Sequence, residues 1–382
     1  GGLISTIQYG ASLELDGGAA AIAAAGGSAL SGLAINAGQL SLQGNYLGSG
    51  GVSLQTTQGL VNSGELFIDS YTGTGGSDIA LGGALTNSGE IWVGNATPGE
   101  QTSLEMASLV NQGVLIIQGG VGGPGATVTV HQATTSALTG FLSLSGSATL
   151  AYDSGGFTSV QSGAVVSLYG AGAALTAGGA SALSTLRANY GGITLEGGGV
   201  YGGAIDLTLN QGFTNYSYLQ LDTDYGTGGG RLSLEGAFVN DGAVRIEATG
   251  YVRSLHDGEF RLENVGHGGR VSHIGRSAVV RFGGLDVLVC QAIVAPGDPQ
   301  LYRGFGLDPV LYDLVVVKAN TSFRAAYAKF AGAICDADTP GVAAPNLLQL
   351  PFGEASKALY PWRDDPQFRA RSRLCGARAG SR

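Results

Sequence analysis

Four residues in the C-terminal third form a possible metal-ligand set: His256, Asp257, His267 and His273. Zinc favours compact pairs of imidazole, thiolate or carboxylate ligands, steadied by further hydrogen bonds. Here the histidines stand 11 and 6 residues apart across turns, a spacing that matches no metal signature. They read as solvated loop side chains. The thiols are Cys290, Cys335 and Cys375. Cys290 ends an apolar strand and Cys335 follows the apolar end of a helical stretch, so both read as small buried hydrophobes. No base can be named that would activate either one as a nucleophile. The glycine-rich runs at 170–172 and 197–199 lack the Lys-Ser/Thr and the following helix of a phosphate-binding loop. The sequence therefore assigns no catalytic residue, no metal ligand and no cofactor.

The surrounding composition explains this poverty of chemistry. Glycine supplies 68 of 382 residues, without the three-residue period of collagen, and charged residues only 12%. With 44% hydrophobic residues the chain is too apolar for disorder. No apolar run reaches 18 residues, so no membrane span is expected. A formal charge of −9 argues against nucleic-acid binding. The charge is also unevenly spread. Residues 1–246 hold 15 acidic and three basic residues (Arg187, Arg231, Arg245), with neither Lys nor Cys. Residues 247–382 hold the other 13 acidic and 16 basic residues. This places a domain boundary near residue 247. The chain opens on Gly1 rather than Met and is read as a fragment.

The first half repeats a phrase. LVNSGELFI occupies residues 60–68, LTNSGEIWV 85–93, LVNQGVLII 109–117, FTNYSYLQL 213–221 and FVNDGAVRI 238–246. The asparagines Asn62, Asn87 and Asn111 recur at steps of 25 and 24 residues, and Asn215 and Asn240 at 25. In each phrase a turn rich in Asn and Gly, residues tolerant of left-handed φ, precedes a short apolar strand. Further strands are expected at 40–43, 52–55, 126–130, 165–169, 193–196 and 232–235. A period near 25 with short strands predicts a parallel β-solenoid, whose coils bury their apolar faces only by stacking. Each Asn either makes the turn alone or stacks with its counterparts into a ladder of amides. This half, 1–246, resembles the passenger region of bacterial autotransporters and related adhesins, which are Gly/Ala/Ser/Thr/Asn-rich β-helices. The resemblance implies an extended surface stalk or adhesive platform. The outer-membrane barrel of that family is not seen in this sequence.

The second half has a different grammar. Strands are expected on either side of a His256-Asp257-Gly258 turn. A hairpin runs over 278–290 around Gly283-Gly284. A helix over 299–305 has Asp298 as its cap and Pro299 at its first position. A buried strand is expected over 313–318, then a helix presenting Phe323, Ala326, Tyr327 and Phe330 on one face. The fold class is thus mainly β, a β-solenoid followed by a small α/β domain. Phrases of this second half, in order, are V-R-S-L-x-D-G-x-F from Val252, A-V-x-R-x-G-G-x-D-V from Ala278, G-x-D-P from Gly306 and V-V-V-K from Val315. F-R-A-A-Y from Phe323, D-x-P-G from Asp338, Leu350-Pro351 and Pro361-Trp362 follow. On these, residues 247–363 resemble the C-terminal domain of the microcystin-degrading metallopeptidase MlrC (microcystinase C) family.

That resemblance implies a zinc metallopeptidase relative acting on peptides. The family's metal ligands lie in a larger N-terminal domain, and a repeat region stands in its place here. The family's Ser and His before Phe-Arg-Ala are replaced by the run 319–322, and its Ser-Arg-Arg-x-Gln region by 291–295. Apolar framework is kept while polar positions are lost. Lys318, Arg324 and Asp338 carry family motifs without a defined role; a structural pairing of Arg324 with Asp286 or Asp313 is expected. The leading expectation is a fused, non-catalytic remnant, with no zinc of its own. The alternatives are a surface protein whose solenoid does the work and an active zinc metallopeptidase with a peptide substrate. Loss of the companion domain would expose apolar surface and favour self-association. The two resemblances imply different compartments, cell surface for the solenoid and cytoplasm for the peptidase-like half. Residues 364–382, with five Arg after Asp365, are expected as an unstructured basic tail.

Overall fold

The computed structural model describes residues 3–335 except 25, 45–49, 199, 201, 223–228, 247–249, 264–268, 295 and 320–322. The basic tail, Cys375, Asp338, His267 and the phrases from Asp338 onward lie outside the described residues. The chain divides into two compact units, one ending at Thr249 and one starting at Gly250.

The first unit is a parallel β-solenoid of about nine turns. One coil shows the plan: Leu60–Asn62, a tight turn, Glu65–Ile68, a loop, Asp78–Ala80, and then Ala84–Asn87 begins the next coil. Equivalent strands pair in parallel and in register, so Leu66, Ile91 and Leu115 stack, as do Ile68, Val93 and Ile117. The longest sheet has ten strands, from Ser12–Asp16 to Ala243–Ile246. Register persists through the middle, where the phrase fades: Leu115, Leu142, Val166, Ile193 and Leu219 form one row. Alternation along each strand sends these residues inward, and one apolar core runs from Ile7 to Leu221. Each fully buried Leu or Ile contributes about 1.5–3 kcal/mol, which a single coil could not secure by itself.

The asparagines form the ladder. Asn36 Nδ2 donates to Asn62 Oδ1 at 2.7 Å, Asn62 to Asn87 at 2.8 Å, and Asn87 to Asn111 at 2.8 Å. A second ladder joins Asn189 to Asn215 at 2.7 Å and Asn215 to Asn240 at 2.8 Å. Each amide also closes the turn, as when Asn87 Nδ2 donates to the Val114 carbonyl at 3.0 Å. Turn-making and stacking are therefore done by the same side chain. Leu138 and Val160 fill the two rungs between the ladders and are buried. The sheet carrying these rungs also breaks there, into two five-stranded sheets. Ile7 precedes the first ladder, and Asn36 Oδ1 is buried without a hydrogen-bond partner among the described residues.

The turn glycines depart from expectation. Gly64, Gly89, Gly113 and Gly242 are not among the positive-φ residues. They are glycine because coils approach there. A Cβ on Gly89 would lie 2.1 Å from the Gly64 carbonyl oxygen, and one on Gly113 the same distance from that of Gly89. The residues that do adopt left-handed φ include Asp69 (φ 49°) and Asp222 (φ 54°), each just after a strand of the ten-stranded sheet. Asp69 is fully buried. Its carboxylate accepts from the Gly44 N–H at 2.6 Å, the Ser77 N–H at 2.8 Å, the Ser77 hydroxyl at 2.7 Å and the Thr102 hydroxyl at 2.7 Å. Four donors offset the desolvation of one buried carboxylate, which thereby pins the loop 70–77.

The second unit has an antiparallel sheet, order Tyr251–His256, Ser277–Phe282, Leu285–Cys290, and a two-stranded ribbon of Glu259–Arg261 with Val271–His273. The hairpin turns at Gly283 (φ 57°) as expected. The expected helix at 299–305 is one turn, Gln300–Arg303; Pro299 takes the cap position rather than the first helical one, and Asp298 just before it accepts from the Gln300 N–H at 2.9 Å. The expected buried strand at 313–318 is not one. The segment is extended, and among the described residues it joins no sheet. Leu314 and Val316 are 79% and 77% exposed, while Val315 and Val317 pack beside Phe323 and Tyr327. Alternation thus gives it one half-buried face. The helix after it is also a single turn, Arg324–Tyr327, burying Phe323, Ala326 and Tyr327.

Candidate functional site

Among the described residues of the second unit, a dense polar constellation centres on Asp286. A two-residue turn at Gly283-Gly284 fixes the hairpin register, which sets Arg281 directly opposite Asp286. Arg281 Nε donates to Asp286 Oδ1 at 2.7 Å and its Nη2 to Oδ2 at 2.6 Å. Arg253, in the register shift between Val252 and Ser254, adds Nη1 to Oδ2 at 3.0 Å. The Tyr312 hydroxyl donates to the same oxygen at 2.5 Å. The Asp286 side chain is only 2% exposed.

The electrostatics follow from this geometry. The hydrogen bonds from Arg281 hold the Asp286 carboxyl well below the usual carboxylate range, against the opposing effect of burial, with Tyr312 and Arg253 adding to them. The Tyr312 phenol is pushed up, first by burial and then by its bond to the carboxylate. A carboxylate so saturated is a poor proton acceptor, so the cluster ties three strands and the 312 segment together. Because the folded pKa is depressed, the stabilisation is full above the unfolded value of about 3.9 and is lost as pH falls below it. Asp286→Asn should therefore lower the urea midpoint at pH 7, and the gap from the parent protein should narrow as pH falls from about 4 toward 2. A gap independent of pH would contradict the assignment.

The residues singled out from sequence are dispersed. His256 Nε2 bonds the Ser254 hydroxyl oxygen at 2.8 Å, and its ring meets Phe305 edge-on at 5.0 Å. His273 Nδ1 pairs with Glu259 at 2.9 Å. Asp257 is exposed. Among the described residues no group of three or more His, Cys, Asp or Glu is placed to hold a metal ion. Cys290 is partly buried, and burial raises its thiol pKa despite a hydrogen bond with Ser277. Cys335 is exposed, contrary to expectation, because the helix ends at Tyr327, well before it. Lys318 is exposed. The Arg324 guanidinium lies 5.6 Å from the Phe323 ring centroid, and the expected partner Asp286 is instead held by Arg281 and Arg253. Sequence reasoning missed Arg253 and Tyr312. The Arg281–Asp286 pair was within its reach, since a Gly-Gly turn at 283–284 forces residues 281 and 286 to face each other.

The quoted phrases fall on turns and caps. Gly258 (φ 82°) passes so close to Gly275 that a Cβ would meet its carbonyl oxygen. Gly306 (φ 78°) lies in the turn that follows the helical turn Gln300–Arg303, whose C-cap is Gly304, and Asp308 caps Pro309–Leu311 by accepting from the Val310 N–H at 3.3 Å.

Residues 227–354 match the family model of the MlrC C-terminus. The match covers about a third of the chain. No curated protein and no solved structure matches. The MlrC segment begins inside the solenoid: its first strands, Gly230–Leu234, Phe238–Asn240 and Ala243–Ile246, form the last described coil and pair in parallel with the coil before. The last ladder rung, Asn240, therefore belongs to the MlrC match. Zinc is the metal that the metallopeptidase resemblance implies. The described residues of the MlrC segment do not fit it, because His256 and His273 are each engaged by another side chain on separate elements.

Proposed function

We propose that this chain is a structural scaffold, a β-solenoid stalk of the kind found in surface adhesins, joined to an MlrC-type C-terminal module that does not catalyse peptide hydrolysis. The observation that carries this reading is where the polar groups are spent. In the solenoid, buried asparagines bond to one another from coil to coil rather than toward solvent. In the MlrC module, Asp286 and Asp298 are consumed by strand ties and a bond at a helix start. Groups saturated in this way hold shape and are not themselves poised as acid, base or nucleophile.

The test is zinc stoichiometry by elemental analysis of the purified full chain, with hydrolysis of linear and cyclic peptides measured before and after chelator. The scaffold reading expects less than 0.1 equivalents of zinc and no chelator-sensitive hydrolysis. One equivalent of zinc with hydrolysis abolished by chelator would establish the metallopeptidase instead.

A further inference from the structure

The outer position of the solenoid turn, directly after the ladder residue, is Ala37, Ser63, Ser88 and Gln112 in the early coils and Gln161 later. In two adjacent coils it is Tyr190 and Tyr216. Their rings stack with centroids 4.8 Å apart and planes 3° from parallel, and they remain 45% and 46% exposed. Two residues on, Tyr218 opens the strand Tyr218–Leu221 and is 39% exposed. Its ring reaches within 3.6 Å of the point a Gly192 side chain would occupy, so the bare backbone of Gly192 leaves the room it covers. Three tyrosines thus fall at one turn of two adjacent coils; the position of Tyr190 and Tyr216 is small or polar in the other coils named, while the row of Tyr218 carries Val114, Phe141 and Val165 in earlier ones.

Stacking alone would tie neighbouring coils together, but it does not call for a third ring, for hydroxyl tips, or for so much aromatic surface left in water. Exposed aromatic bodies with hydrogen-bonding tips are the features of a recognition surface. The charge of the unit narrows the ligand. With 15 acidic against three basic residues through position 246, it repels polyanions. Asp241 and Gln161, at the same turn position on either side of the tyrosine pair, add hydrogen-bonding groups suited to hydroxyls. The repeat of coils, about 4.8 Å, is comparable to the length of one sugar ring. An uncharged ligand with apolar C–H faces and hydroxyl edges meets all of these conditions. We propose that Tyr190, Tyr216 and Tyr218 form a binding patch for a neutral carbohydrate chain.

The test is affinity electrophoresis of the full chain through gels containing neutral polysaccharides (mixed-linkage glucan, xylan, galactomannan, dextran) or anionic ones (polygalacturonate, heparin). At least one neutral polymer should retard the protein, and the anionic ones should not. Tyr216→Ala and, with the stacked pair intact, Tyr218→Ala should each weaken retardation about tenfold. Tyr216→Phe should keep most of it, and Tyr9→Ala, far along the chain and 92% exposed, should change nothing. Circular dichroism melting separates lost binding from lost folding, and Tyr218→Ala serves if Tyr216→Ala does not fold. No retardation by any neutral polymer would overturn the proposal. So would retardation that survives both alanine variants, or retardation by the anionic polymers alone.

Discussion

Asn87→Leu should destabilise the solenoid by about 2–4 kcal/mol, read as a lowered guanidinium midpoint. Asn87 is fully buried in mid-ladder. Leucine would strand the Asn111 Oδ1 acceptor, take one donor from the Val114 carbonyl and remove one acceptor from Asn62 Nδ2. Each buried group left without its partner costs about 1–3 kcal/mol, and the added apolar burial offsets only part of that. Asn36→Leu supplies the contrast. It strands Asn62 Oδ1 and takes a donor from the Glu65 carbonyl, but it also removes Asn36 Oδ1, already without a partner, and it sets leucine against Ile7. Its cost should be half that of Asn87→Leu or less. Equal losses at the two positions would mean that the ladder contributes no more than the individual turns do.

Gly89→Ala should cost about 3 kcal/mol, at the upper end of what overpacking produces. The new Cβ would sit 2.1 Å from a backbone carbonyl oxygen and 2.7 Å from the Ser63 carbonyl carbon, and backbone cannot swing aside as a side chain can. Gly163→Ala is the control. Its φ is 80°, yet nothing lies within 4 Å of the added atom, so the conformational penalty of about 1–2 kcal/mol stands alone. Thermal melts of the two variants should rank Gly89→Ala below Gly163→Ala. The reverse order would mean that the turn is limited by its dihedral angles rather than by contact between coils.

That contrast marks what a single sequence can and cannot convey. The 25-residue phrase made the solenoid legible, because every coil must return its apolar row to the same line. Asn62, Asn87, Asn111, Asn215 and Asn240 stood out for the same reason. Asn36 and Asn189 did not, although INAGQL and ANYGGI keep the Asn-x-Gly turn, since the large apolar residue two places before the other asparagines is Ala34 and Arg187 there. The reason for glycine at 64, 89 and 113 was hidden, because the atoms that forbid a Cβ belong to another coil. In the second unit, apolar alternation over 313–318 reads the same whether or not a neighbouring strand is there to pair with it. The Arg253 and Tyr312 contacts to Asp286 depend on a strand irregularity and a long connection, neither of which has a local signature.

The split in the amide ladder should divide the solenoid's cooperativity. Coils from Asn36 to Asn111 are stitched by side chains as well as main chain, and so are those from Asn189 to Asn240. At Leu138 and Val160 the side-chain column is apolar, only main-chain bonds such as Gln161 N–H to the Leu138 carbonyl continue along it, and the sheet that carries the rungs is interrupted. Amide hydrogen exchange would then proceed as two blocks that open separately, with the hinge of protection at the middle coils rather than at the ends.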